Sequence, residues 1–352
     1  MFKTTGYAAT SPTSLLTPFH FEVRTLRKHD CLIDILYCGI CHSDLHMARN
    51  EWKNTTYPIV PGHEIIGRIR EVGSDVKKFK KGDLVGIGCI IGSCQKCPSC
   101  KEHLEQYCEK EFTLVCNSKD PETGLINYGG FSKLIAVEDQ YILQIPSLFK
   151  ETDLPAVAPL LCAGITTYSP LKHWKVGKGM RVGIVGLGGL GHMAIKLAHA
   201  MQAHVVAFTT SPEKAKGAKK LGADEVVIST DDKAMKKHEN SFDFILNTGA
   251  KAHDLNQYLA LLKREGTMCL VGLPSQPHAP FTPDQLIFKR RNLAGSLIGS
   301  IQETQELLDF CAKHRILANI KQIVLAQVNE AFEQMAKGTV DYRFVIALEP
   351  SS

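Results

Sequence analysis

No stretch of this 352-residue chain approaches the ~18 uninterrupted apolar residues of a membrane span, so no membrane partner is expected. The amino-terminal residues Met1 to Pro12 lack an apolar signal core and are not arginine-rich, which predicts a cytoplasmic protein. Internal repeats and low-complexity tracts are also missing, excluding solenoids and collagen-like chains. Charge of one sign is scarce: 41 Lys and Arg stand against 36 Asp and Glu, a net charge of +5 spread along the chain. That balance argues against a nucleic-acid partner and suits an anionic small molecule. What remains is an ordinary soluble composition, 44% hydrophobic and 22% charged, at a length that suits about two domains.

Two textures divide the chain. From Met1 to about Gln144 it is rich in Gly, Pro, His and Cys, and short β-type runs such as Cys31–Leu36 are broken by turns at Pro61-Gly62, Gly82-Asp83 and Gly129-Gly130. This predicts an irregular β-rich domain whose loops carry the chemistry. From about Met180, strand-like runs (Arg181–Val185, His204–Phe208, Glu225–Ile228, Phe242–Leu246, Thr267–Val271) alternate with helical stretches at Leu190–Met201, Glu213–Leu221 and Leu255–Lys263. Alternation at this spacing predicts an α/β, doubly wound parallel sheet, with Asn292–Ile298 as a last strand. A helix at Gln302–His314 and a strand at Arg343–Leu348 follow.

Five of the 12 cysteines fall between Cys89 and Cys108. Cys94, Cys97, Cys100 and Cys108 have the spacing of a single loop wrapped around one tetrahedral zinc. A disulfide pair or four unlinked thiols are the plainer readings, and a cytoplasmic chain disfavours the first. The flank Lys101–Glu111 carries Glu102, Glu105, Glu109 and Glu111 against Lys101 and Lys110, the wrong charge for a zinc-finger surface that grips phosphate. The metal here is expected to serve folding.

Three further residues sit in conspicuous contexts: Cys41 in Gly39–His46, His63 in Pro61–Gly67, and Cys162 in Leu160–Gly164. Singly, each reads as core filling. Together, two thiolates and an imidazole would hold a zinc with its fourth position open to substrate or water.

Gly186-Leu187-Gly188-Gly189-Leu190-Gly191 fits G-x-G-x-x-G and lies between an apolar strand and a helix, the context in which backbone amides cradle a pyrophosphate. The acidic residue that usually binds the adenosine ribose about twenty residues on is missing. In its place stand Thr209, Thr210 and Ser211, then Pro212, Glu213 and Lys214. Hydroxyls and an ammonium accept a 2′-phosphate that a strand-end carboxylate would repel, so NADP(H) is favoured over NAD(H). Glu213, in the first turn of the helix, is expected to point elsewhere. An ordinary helix start, with Ser211 as cap and Pro212 at the first position, is compatible with the same residues.

With these motifs in order, the chain closely resembles the zinc-containing medium-chain alcohol dehydrogenases. Within them it resembles the cinnamyl alcohol dehydrogenase branch, with its bacterial broad-specificity NADPH-dependent aldehyde reductases. The likeness runs from about Tyr37 to Leu348 and takes in Gly39–His46, Pro61–Gly67, the four-cysteine loop, Leu160–Tyr168, Gly186–Gly191, Gly295–Ser300 and Tyr342–Val345. It implies a GroES-like catalytic domain with the structural zinc loop (residues 1–155 and 300–352) and a Rossmann NADP-binding domain (156–299). It further implies two zinc ions per subunit and a homodimer joined through the last strand of the nucleotide domain.

Residue by residue, the resemblance makes Cys41, His63 and Cys162 the catalytic zinc ligands. Glu64 then takes the fourth position when substrate is absent, and Asp44 orients the ligand imidazole. Arg343 is assigned either to Glu64 or to the coenzyme. Ser43 and His46 match a proton relay passing through the nicotinamide ribose, and Thr166, Thr248, Gly272, Ser296, Leu297 and Ile298 match coenzyme contacts. The implied reaction is reversible: zinc polarises an aldehyde carbonyl, the nicotinamide delivers hydride, and the relay protonates the alkoxide to give a primary alcohol.

Counted from Cys108, Thr113 stands where plant cinnamyl alcohol dehydrogenases carry a large aromatic, and Trp52 where they tend to have a smaller apolar residue. A differently shaped apolar pocket and a general aldehyde substrate are therefore expected. Trp52 as plain core or surface packing is the alternative. Two other readings remain: a zinc-free quinone reductase of the same superfamily, and a non-catalytic NADPH-binding protein in a crystallin-like or sensing role.

Overall fold

The computed structural model describes residues 1–274, 276–338 and 340–349. The chain forms two compact units, Met1–Cys162 with Ser300–Ser352, and Ala163–Gly299. The first unit extends to Cys162 rather than stopping at 155. The short helices Leu154–Val157 and Ala158–Leu161 bury Leu154, Val157, Leu160 and Leu161 against its sheet.

The first unit is built on one long strand, Asp30–Ile40, with Cys31, Leu32, Ile33, Ile35, Cys38 and Ile40 fully buried. It exceeds the predicted Cys31–Leu36 because it has partners along both edges. Ile65–Val72 pairs antiparallel along one edge; Leu134–Glu138 and Arg343–Ala347 share the other, also antiparallel. Leu84–Ile87, Leu143–Gln144 and Ile320–Val324 complete a seven-stranded sheet. Phe2–Ala8 and Thr17–Val23 form a separate hairpin.

The second unit is a six-stranded sheet, parallel throughout. Its spatial order is Glu225–Ile228, His204–Thr209, Arg181–Val185, Phe242–Asn247, Leu262–Leu270, Asn292–Gly295. This is the doubly wound order with the first strand at the switch point. The helices Gly189–Ala200 and Pro212–Leu221 lie within a residue of expectation, and the second ends at Gly222 in the left-handed conformation.

One stretch was misassigned by the sequence pattern. Leu255–Lys263 is a single helical turn, Asn256–Leu259, followed by a strand that already begins at Leu262. Leu262 pairs with Phe242, and the register shifts between Phe242 and Phe244, so a tertiary contact overrides the helical periodicity of the leucines. Asn292–Ile298 is likewise a strand only to Gly295; Ile298 turns out of it with φ 48°. Among the described residues, no single helix is long and apolar enough to cross a membrane.

The core of the second unit centres on Phe208, which is 1% exposed and meets Phe242 and Tyr258 edge-on at centroid distances of 5.5 and 5.7 Å. Phe208→Ala is expected to cost about 3–5 kcal/mol of unfolding free energy, measured by urea titration.

Candidate active site

Strand direction assembles the metal-ligand group. Because Asp30–Ile40 and Ile65–Val72 run antiparallel, with Cys38 opposite Ile65, the end of the first strand lies beside the start of the second. Cys41 follows the one and His63 and Glu64 precede the other. Arg343–Ala347 is also antiparallel, with Phe344 opposite Ile40, so Arg343 arrives at the same end. Cys162 closes the group from the Ala158–Leu161 segment packed on that sheet.

Donor atoms of Cys41, His63, Glu64 and Cys162 all lie within 4.8 Å of one another, and all four residues are buried. Cys41 Sγ and Cys162 Sγ are 3.8 Å apart and His63 Nε2 is 3.3 Å from Cys162 Sγ. Two thiolates on one tetrahedral zinc stand about 3.8 Å apart, so the sulfurs already have the spacing the ion requires. The hydrogen bond from Cys162 holds Cys41 well below the usual thiol range against the effect of burial, with Arg343 and His63 assisting. Glu64 Oε2 is buried and has no hydrogen-bond partner, an acceptor left for a cation. Its other oxygen is bound by the Arg343 guanidinium, so of Arg343's two expected partners the structure contains Glu64.

Asp44 holds this arrangement. The helix His42–Ala48 starts at Cys41, and Asp44, at its third position, reaches back to accept the Cys41 N–H at 2.9 Å. Its other oxygen accepts the Gly62 N–H at 2.9 Å and faces His63 Nδ1 at 3.0 Å. One fully buried carboxylate thus fixes two backbone segments and leaves His63 Nε2 toward the thiols. Burial acts to lower the His63 ring's proton affinity, but the Asp44 and Cys89 charges override it and raise its pKa well above the usual value.

Ser43 and His46 share one face of that helix, three residues apart. Ser43 Oγ is 3.8 Å from Cys41 Sγ. His46 Nδ1 is 2.5 Å from Glu51 Oε2, and its ring lies against Trp52 at 5.1 Å. Glu51 escaped the sequence reading because an acid five residues past a histidine forms no known pattern. Cys116, within 4.8 Å of Asp44 and His63, gave no signal either. Thr113 stands opposite Gly92 in the short strand Thr113–Leu114.

The second cysteine group is equally ready for a metal. Cys94, Cys97, Cys100 and Cys108 lie within 4.8 Å of one another, with sulfur pairs at 4.0 Å. Backbone N–H groups of Cys94, Cys97 and Glu109 point at the sulfurs of Cys108, Cys94 and Cys97. Although burial raises the Cys108 pKa, amides from Cys94, Lys110 and Glu111 bring it down to about 6, favouring the thiolate that zinc binds.

In the second unit the predicted coenzyme positions gather at the carboxyl ends of the parallel strands. Gly186, Thr210, Thr248 and Ser296 each follow a strand directly, and Gly272 lies two residues past one. Gly186 has φ +94°, and a Cβ on Gly191 would overlap the Gly186 carbonyl, so both positions demand glycine. Thr248 Oγ1 donates to the Val185 carbonyl at 2.8 Å, tying two neighbouring strand ends together. Leu187 is buried, Gly188 caps the helix Gly189–Ala200, and Leu297 is exposed. Thr166 is buried in the helix Ala163–His173.

The strand-end hydroxyls differ from expectation in one respect. Ser211 makes no capping bond; its hydroxyl donates instead to Glu213 at 2.5 Å, so that carboxylate does not point elsewhere. Thr209 Oγ1 accepts the Ser211 N–H at 3.1 Å.

Asp44→Asn replaces one of the two accepting oxygens with an NH2 group facing N–H donors. It is expected to cost about 1–3 kcal/mol of stability, read by urea unfolding.

Comparison with known proteins agrees with this geometry. Residues 27–147 match the alcohol dehydrogenase GroES-like domain and residues 189–313 the zinc-binding dehydrogenase family. The chain is 55% identical to aldehyde reductase YahK of Escherichia coli (strain K12) over 97% of its own length and 96% of that protein's. It is 46% identical to NADP-dependent alcohol dehydrogenase C 1 of Mycolicibacterium smegmatis, with 98% of each covered. Among solved structures, the cinnamyl alcohol dehydrogenase of Helicobacter pylori complexed with NADP(H) superposes with a TM-score of 0.93 at 41% identity, covering 100% of this chain and 99% of that one. The corresponding Sorghum bicolor enzyme gives 0.94 at 39%, covering 98% and 97%. The chain therefore belongs to the zinc-containing medium-chain alcohol dehydrogenases.

Proposed function

We propose that the protein is a zinc-dependent, NADP(H)-linked alcohol dehydrogenase and aldehyde reductase. Its reaction is reversible hydride exchange between the coenzyme and aromatic or aliphatic aldehydes, giving primary alcohols. The observation that carries this reading is the buried Cys41–His63–Glu64–Cys162 group, whose fourth member is an acid able to yield its place to substrate. When bound, zinc supplies a Lewis acid at this group and a cross-link at the four-cysteine loop, and the coenzyme supplies the hydride.

The chain's own side chains do the rest. Asp44 orients His63 and braces Cys41, while Arg343 holds Glu64 within reach of the other ligands. The reduced product needs a proton, and Ser43 Oγ is the hydroxyl beside Cys41. An imidazole suits the outer end of such a relay because it accepts a proton at one nitrogen and donates from the other, and the Glu51 contact holds the His46 ring. The hydroxyls of Thr209, Thr210 and Ser211 and the ammonium of Lys214, in a stretch that lacks a strand-end acid, support NADP(H) over NAD(H). A 2′-phosphate must take the Ser211 hydroxyl from Glu213, which keeps that preference from being absolute.

The complete ligand group supports an enzyme over the zinc-free quinone reductase and over a crystallin-like or sensing role. Small aldehydes and alcohols are then its partners. A homodimer joined through Asn292–Gly295 is supported by that strand's place at the sheet edge and by exposed Ile287 and Phe288 just before it in sequence. A cytoplasmic setting is supported by cysteines that are thiols rather than disulfides among the described residues.

The direct test is coenzyme oxidation by purified, zinc-replete protein with a panel of aromatic and aliphatic aldehydes, NADPH and NADH in parallel. Faster turnover with NADPH is expected; no turnover with either coenzyme, in either direction, overturns the reading. Cys162→Ala is expected to reduce zinc from two ions to one per chain by elemental analysis, with activity lost. Ser43→Ala should lower turnover by roughly 10²–10⁴-fold under conditions limited by chemistry, with NADPH affinity nearly unchanged in a fluorescence titration.

A further inference from the structure

The strand Phe242–Asn247 ends in a side chain committed at both polar atoms. Asn247 is 2% exposed; its Oδ1 accepts the Gly249 N–H at 3.0 Å, which leaves Nδ2 facing His253 Nε2, also at 3.0 Å. The His253 ring is held at its other nitrogen, Nδ1 lying 2.9 Å from the Lys251 carbonyl. A carbonyl only accepts, so Nδ1 carries a proton; the Asn247 NH2 only donates, so Nε2 is bare. One tautomer of neutral imidazole satisfies this network. A second proton would set an N–H against an N–H.

The network reaches the cradle directly. The Asn247 carbonyl accepts from Val271 and Gly272 at 3.0 and 3.3 Å, and the Thr248 N–H donates to Val185 at 3.0 Å. Asn247, Thr248 and Gly249 thus lie between the glycine turn at Gly186 and the loop at Gly272. His278, from that second loop, packs edge-on to His253 at 4.8 Å, with its Nδ1 3.3 Å from the His253 backbone nitrogen. Lys251, Asp254, His278 and Tyr258 are the titratable neighbours. Burial lowers the His253 pKa; the hydrogen bond to the Lys251 carbonyl and the Asp254 charge oppose this, and His278 adds to it.

We infer that His253, neutral and protonated on Nδ1, is the positioning residue that holds the Asn247–Gly249 turn in its coenzyme-receiving shape, so that coenzyme affinity falls when His253 takes up a second proton. The inference rests on the NADP(H) reading above. Its sign follows from linkage: the neutral ring belongs to the binding shape, so affinity is full above the ordinary histidine range and declines as pH falls below it.

The test is calorimetric titration of NADP+ into full-length zinc-loaded protein at about pH 8 and about pH 5.5, in wild type, His253→Gln and His253→Phe. Glutamine offers an untitratable carbonyl near the place of Nε2, whereas phenylalanine keeps the packing and removes the acceptor. Expected are a roughly tenfold weaker Kd for His253→Phe at the higher pH and near-wild-type binding for His253→Gln. Wild type should also lose more affinity than His253→Gln on acidification; the 2′-phosphate titrates alike in both.

Unchanged binding by His253→Phe, or equal acid weakening in wild type and His253→Gln, overturns the inference. Wild type that binds neither NADP+ nor NAD+ at the higher pH overturns the coenzyme reading beneath it. Thermal melts without coenzyme identify a misfolded phenylalanine variant, in which case the glutamine comparison decides.

Discussion

The chemistry of the first unit depends on the pairing of a single strand. Asp30–Ile40 runs antiparallel to Ile65–Val72 on one edge and to Leu134–Glu138 and Arg343–Ala347 on the other. Antiparallel neighbours bring an end against a start, so Cys41, His63, Glu64 and Arg343 meet although they span most of the chain. Burying Asp44, Glu64 and Arg343 there is costly, and hydrogen bonds offset the cost. Asp44 receives two backbone N–H groups and an imidazole, and Glu64 receives a guanidinium. A slip of one residue in this pairing would turn the ligands to the other face.

The second unit solves the same problem with the opposite strand direction. In a parallel sheet all carboxyl ends lie on one edge, and there the chain places Gly186, Thr210, Thr248, Gly272 and Ser296. The Gly186 and Gly272 turns interlock through Thr248 and Asn247 rather than through any charge. The two sites accordingly differ in kind: one is a set of ionisable donors locked by a carboxylate, the other a surface of backbone and hydroxyl groups shaped by glycine.

Much of this was legible in the sequence. The four-cysteine loop has local spacing, and the glycine turn announces itself between a strand and a helix. The parallel strands appear as short apolar runs of the right length. Cys41, His63 and Cys162 were individually ordinary and suggested zinc only as a set, and family resemblance made the set an assignment, because sheet pairing rather than spacing brings them together. Leu255–Lys263 misled because Leu261 and Leu262 keep a helical period while Leu262 answers to Phe242 across the sheet. Ser211 looked like a helix cap and instead binds Glu213. Glu51, Cys116 and Asn247 were invisible, since a single polar or thiol side chain gains meaning only from the atom it faces.

The second unit interrupts the first between Cys162 and Ser300. During synthesis, every residue of the metal-ligand group has therefore left the ribosome long before Arg343, the cation that binds Glu64 and opens the strand bordering Cys41. At roughly 5–20 residues per second the gap is on the order of 10–40 seconds. For that interval the nascent chain carries two buried-type thiols, an imidazole and an unpaired glutamate on a sheet missing an inner strand. A chaperone or an early metal ion has the opportunity to act there, and the intervening parallel sheet has time to fold first.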